Sequence, residues 1–145
     1  MDREMSAREL LEQVREADGE IDILRESVWS TWARLTSTTA AVDGVVVQHS
    51  ADPHALDAVG DLDSAVYARI AELSAMKARA VRLISALESP AQRRVLLSYY
   101  VNGVDARGRR KTWEGVAYEL GYSLRRVQQL QTEGLAAVEK LRGIA

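Results

Sequence analysis

The stretch Thr112-Trp113-Glu114-Gly115-Val116-Ala117-Tyr118-Glu119-Leu120-Gly121-Tyr122-Ser123-Leu124-Arg125-Arg126-Val127-Gln128-Gln129-Leu130-Gln131-Thr132 decides how this chain is read. Thr112 and Ser123 each precede a helical apolar pattern, and each hydroxyl suits an N-cap. Val116 and Ala117 fall on the inner face of the first short helix, 113 to 120. Ala117 is small where a second helix must cross close by. Leu120 fills the angle, and Gly121 supplies the positive φ that the turn requires. Val127 and Leu130 are the inward anchors of the second helix, expected to run to about Leu141. This is the spacing of a helix-turn-helix, although a plain αα corner obeys the same packing rules.

Upstream, Ser89-Pro90 is a cap followed by proline at the first helical position, and it opens a helix expected to reach about Val101. Asn102-Gly103 closes that helix with residues that tolerate the left-handed conformation. A loop from Val104 to Lys111 follows, carrying Arg107, Arg109, Arg110 and Lys111. Tyr99, Tyr100 and Trp113 read as core of this small region rather than as stacking platforms.

Residues 1–88 carry two long amphipathic patterns. From about 4 to 40, Leu10, Val14, Ala17, Ile21, Leu24, Val28, Thr31 and Leu35 alternate spacings of four and three, a heptad seam. Gly19 weakens that helix by about 1 kcal/mol relative to alanine, but the seam keeps its phase on both sides. The pattern lapses at Thr36-Ser37-Thr38-Thr39, and residues 43 to 52 read as a connector. Asp52-Pro53 caps a second helix to about 87, with Val59, Val66, Ile70, Leu73, Ala80, Ile84 and Leu87 as its seam. Two such seams joined by a short connector predict a long antiparallel, coiled-coil-like helical hairpin. Trp29 and Trp32 lie beside the first seam. An isolated hairpin leaves them wet, which predicts a homo-oligomer assembled through this segment.

The expected fold is therefore all-α: a helical hairpin over 1–88 and a small three-helix, helix-turn-helix domain over 89–145. Charge divides the same way. Residues 1–88 hold 9 Lys and Arg against 16 Asp and Glu, and residues 89–145 hold 10 against 5, although the whole chain is at −2. Such asymmetry is expected where one half faces a polyanion. The absence of cysteine excludes disulfides, thiolate metal sites and cysteine nucleophiles. No apolar run reaches membrane-spanning length and the N-terminus has no signal pattern, so a cytoplasmic protein is expected.

The outward face of the last helix carries the candidate chemistry. Arg125, Gln129 and Thr132 point away from the anchors, flanked by Arg126 and Gln128. Arginine pairs with guanine O6 and N7, and glutamine with adenine N6 and N7, so these five are the candidate base-reading residues. Arg107, Arg109, Arg110, Lys111 and the helix start at Ser123 are the candidate phosphate contacts, joined by Arg93 or Arg94. The loop cations read equally as a solvated tip. His49 and His54 sit near Asp52 and Asp57, but two histidines in a loop are more often plain polar residues than zinc ligands. No phosphate-binding glycine loop, nucleophile triad or carboxylate pair stands out, so neither an enzyme nor a cofactor is expected.

With Ser-Pro-Ala-Gln-Arg-Arg-Val-Leu-Leu-Ser-Tyr-Tyr-Val-Asn-Gly from Ser89 and Thr-Trp-Glu-Gly-Val-Ala-Tyr-Glu-Leu-Gly-Tyr-Ser from Thr112, segment 89–141 resembles region four of bacterial sigma factors, which binds a promoter element in the major groove. More closely, the chain resembles small phage and prophage proteins that join a helical hairpin to a region-four-like domain, some of which regulate late transcription. The Leu35-Thr36-Ser37-Thr38 stretch shares that likeness. The resemblance implies a bacterial host cytoplasm, double-stranded DNA as partner, and base contacts at Arg125, Arg126, Gln128 and Gln129. The basic loop is longer here than in sigma factors, which puts a sigma-like contact with RNA polymerase in doubt, and no promoter-melting region is recognisable in 1–88. A sequence-specific transcription regulator is the leading expectation. A small-terminase-like DNA-packaging subunit and an RNA-polymerase-binding module are the alternatives.

Overall fold

The computed structural model describes residues 5–40 and 53–144, and these are mostly helical with no strand. Its helices are α1 (Ala7–Ala40), α2 (Pro53–Ser85), α3 (Pro90–Leu96), α4 (Trp113–Leu120) and α5 (Leu124–Ile144). Five residues of π-helical backbone, Leu97–Val101, continue α3. No helix among the described residues is long and apolar enough to cross a membrane. The connector expected at 43 to 52, with its cap Asp52 and with His49, lies outside the described residues, as does the side chain of His54.

The start of α1 is a reciprocal cap. The Ser6 hydroxyl accepts from the Glu9 amide at 3.2 Å, and the Glu9 carboxylate accepts from the Ser6 amide at 3.1 Å. The helix runs through Gly19 as expected. It also continues through Thr36–Thr39, where the apolar pattern lapses, to Ala40, the end expected for it. Within it, Ser27 and Thr31 donate their hydroxyls to the carbonyls of Ile23 and Ser27, one turn back, and so leave the helical ladder intact.

The described residues form two compact units. The first gathers those through Ala17 and those from Ala75 onward, and the second is Asp18–Ser74. This division differs from the boundary expected at residue 88, and the reason is packing. Leu11 and Val14 of α1 and Ala80 and Ile84 of α2 share one core with Leu96, Tyr100 and Val138. The small domain read at 89–145 thus rests on the first turns of α1 and the last turns of α2.

In the second unit, Arg69 grips Glu20 with two hydrogen bonds, at 2.6 and 3.3 Å, and Trp32 donates to Asp63 at 3.4 Å. Rising numbers on α1 therefore meet falling numbers on α2. Ile21, Val59, Val66 and Leu73 are buried along the join. The hydrogen bonds from Arg69 hold the Glu20 carboxyl below its ordinary range.

Candidate nucleic-acid interface

The geometry around α4 and α5 begins with two caps. Thr112 Oγ1 accepts from the Gly115 amide at 3.0 Å, and Ser123 Oγ accepts from the Arg126 amide at 3.1 Å. Between them Gly121 adopts φ 74°, a left-handed conformation that ends α4 and turns the chain into α5. Val116, Ala117, Val127 and Leu130 are buried in one cluster with Val95 of α3, and Leu120 and Tyr122 pack against it. Every inward position expected from the sequence is in that cluster or against it.

Burying Val127 and Leu130 leaves Arg125, Arg126, Gln128, Gln129 and Thr132 exposed on α5. They are not all equivalent. Arg126 donates to the Gln129 side-chain Oε1 at 3.2 Å, and Gln129 Nε2 donates to the Glu133 carboxylate at 3.2 Å, a chain of exposed side-chain bonds along the helix. Such pairs are worth a few tenths of a kcal/mol and exchange readily for another partner. Thr132 donates its hydroxyl to the Gln128 carbonyl and lines a hollow with Ser6, Arg8 and Gln131. The start of α1 therefore borders α5 at Thr132, where the Ala7 amide is also held by Glu139 at 2.5 Å. The open stretch of α5 is its first turns, from Arg125 to Gln129.

The 104–111 loop is a closed turn. Val104 and Arg110 form an antiparallel bridge, and Gly108, at φ 79°, closes the tip. Asp105 Oδ1 accepts from the amides of Arg109 and Arg107, each at 2.9 Å, and these bonds hold its carboxyl below the ordinary range. Arg107 and Arg109 are left exposed at the tip. Arg110 is paired with Glu16 of α1.

Lys111 does not join the exposed set. Its side chain is 6% exposed, and its ammonium pairs with Glu119 at 3.1 Å and donates to Ser98 Oγ at 3.2 Å. Its stem is inside the fold, so it holds the loop to α4 and cannot reach a phosphate. Arg93 is likewise committed, donating to the carbonyls of Leu87 and Glu88 in the turn between α2 and α3, whereas Arg94 is exposed. Ser123 Oγ is occupied by its cap, although the residue stays exposed.

Sequence reading missed Arg15. Its guanidinium lies 3.7 Å over the Tyr99 ring, donates to the Tyr99 carbonyl at 3.3 Å and to the Lys111 carbonyl at 2.7 Å. Tyr99 in turn stacks on Trp113 with ring centroids 3.5 Å apart. One residue off the seam, Arg15 carried no signal beyond that of a solvated cation. Nor does the end of the π turn follow expectation. Asn102 has φ −107°, and among the described residues only Gly108 and Gly121 take positive φ. Gly103 is required for a different reason, since a Cβ there would stand 2.9 Å from the Tyr99 carbonyl oxygen.

Compared with protein-family models, with curated proteins and with solved structures, the chain matches none of them.

Proposed function

We propose that this chain is a sequence-specific, duplex-DNA-binding transcription regulator of the phage or prophage type. In this reading α4 and α5 are a helix-turn-helix and α5 is its recognition helix. The long helices α1 and α2 form a hairpin that assembles two or more copies. The observation that carries the proposal is the first exposed turns of α5. A buried anchor pair turns Arg125, Arg126, Gln128 and Gln129 outward together, on a helix that starts at the Ser123 cap just after the left-handed Gly121. Arginine and glutamine are the side chains that make bidentate contacts to purine edges, and a face carrying both with few carboxylates suits a major groove. Arg107 and Arg109 would add phosphate contacts, which set affinity without setting sequence.

The test is selection of random duplex DNA by the purified protein at physiological salt, followed by sequencing of the bound pool. An enriched motif is expected. Arg125→Ala and Gln129→Ala should each relax preference at one base position, at a loss of about 1–3 kcal/mol per bidentate contact. Binding without any motif would replace this reading by DNA packaging, and no binding to duplex would replace it by a protein partner such as RNA polymerase.

A further inference from the structure

The second unit has two unlike flanks. On one side of its buried join, Arg69 is tied to Glu20 and Glu72 in a polar, ion-paired surface. On the other, Arg25, Trp29, Trp32, Asp63, Tyr67 and Ile70 line an open groove of about 340 Å³. Trp29 is 74% exposed and Tyr67 66%. Aromatic area of that size left in water is the signature of a surface that another molecule covers.

The charges within the groove say what that molecule presents. Asp63 accepts from Trp32, so it sits at the Trp32 end. Arg25 lies two helical turns away, about 10 Å at 1.5 Å per residue, at the other end. Among the described residues Arg25 has no hydrogen bond or ion pair. A partner that covers the groove must therefore offer an anion near Arg25, a cation near Asp63, and apolar side chains between. This same surface, rotated by 180° about an axis through the middle of the groove, offers that arrangement. Being confined to one flank, the patch is also used up by a single pairing, as a closed two-fold dimer requires.

We infer that a second copy of this chain docks on the aromatic flank about a two-fold axis perpendicular to the helices, placing Arg25 of each protomer against Asp63 of its partner. The inference gives the assembly proposed above a surface and a symmetry, and rests on that part of the reading. It does not depend on DNA. Residues 18–74 hold ten acidic against three basic side chains, so the two units repel at long range and salt tightens the dimer. A cationic foreign partner would be released by salt instead.

The experiment is sedimentation equilibrium of the full chain without DNA. Wild type is expected to be a dimer. Trp29→Gln, at a side chain too exposed to support the fold, is expected to be monomeric with unchanged helical circular dichroism. Arg25→Asp and Asp63→Arg each place like charges in contact twice and should weaken self-association at least tenfold. Mixed in equal amounts they should form a one-to-one heterodimer, because both contacts are then opposite in sign. A monomeric wild type would overturn the assembly as well as this surface. A dimer indifferent to Trp29→Gln, or two charge variants that fail to rescue each other while remaining helical, would overturn this surface alone.

Discussion

Two cations adjacent in sequence, Arg110 and Lys111, have different fates at the scale of single residues, and both differ from Arg109. The Lys111 ammonium is inside the fold between Glu119 and Ser98, Arg110 is paired on the surface with Glu16, and Arg109 is exposed. Removing a partner from a buried polar group costs about 1–3 kcal/mol, whereas a surface ion pair is worth about 0–1 kcal/mol. Glu119→Ala and Lys111→Ala should therefore lower the urea midpoint by amounts on that larger scale. Arg109→Ala should leave the midpoint nearly unchanged and flatten the salt dependence of DNA affinity. A Lys111→Ala protein of full stability with a flattened salt slope would return Lys111 to the phosphate contacts. Asp105 makes a second prediction. Its folded carboxyl is held below its ordinary range, chiefly by the amide of Arg109, so the loop contact is present above the unfolded carboxyl's range and lost as pH falls through the depressed value. The amide resonances of Arg107 and Arg109 should stay in their hydrogen-bonded positions through about pH 4, the ordinary aspartate range, and shift only in stronger acid. A midpoint at or above that pH would show that the carboxylate does not hold the loop.

Helix ends in this chain are set by neighbours in sequence, and helix surfaces by neighbours in space. Thr112, Ser123, Ser89-Pro90 and Gly121 act within a turn of themselves, so their roles were legible without a structure. The burial of Val116, Ala117, Val127 and Leu130 was legible for the related reason that helical periodicity fixes which residues share a face. The π turn at Leu97–Val101 left no local mark. It lies where Tyr99 stacks on Trp113 and Tyr100 packs beside Leu11 and Val138, partners from 14 to nearly 90 residues away. Lys111 was misplaced for the same reason, since nothing in a run of cations says which one meets Glu119. Two helix glycines bring out the same contrast experimentally. A Cβ at Gly134 of α5 would stand 3.0 Å from the buried Leu96 side chain, and one at Gly19 of α1 meets nothing within 4 Å. Gly19→Ala should stabilise by about 0.5–1 kcal/mol, the gain in helix propensity alone. At Gly134 the same gain is opposed by overpacking of about 1–3 kcal/mol, and net destabilisation is expected. Thermal melts of the two variants compare them directly. A stabilised Gly134→Ala would mean that α3 and α5 approach less closely than described.

For the whole molecule, the question is what joining two reading helices adds to one. Charge is already partitioned: residues 18–74 hold ten acidic side chains against three basic, and the remainder of the chain holds sixteen basic against eleven acidic. Under the reading proposed here, the basic unit contacts DNA and the acidic unit holds the copies together, so the two associations should respond to salt in opposite directions. Within a dimer, binding of one α5 to its half-site makes the second event intramolecular, with an effective concentration that raises overall affinity by roughly 10²–10⁴ when the spacing allows both to engage. A series of duplexes with two copies of the selected motif at increasing separation should show this gain at a preferred spacing, and a duplex with one copy should lack it. Trp29→Gln changes no residue of the DNA-facing unit, so it should bind the single-copy duplex as wild type does and lose the gain on the two-copy duplex. If the gain survives in Trp29→Gln, the copies are joined by another surface. If wild type itself shows no gain at any spacing, each chain reads DNA alone, and the acidic unit serves a different partner.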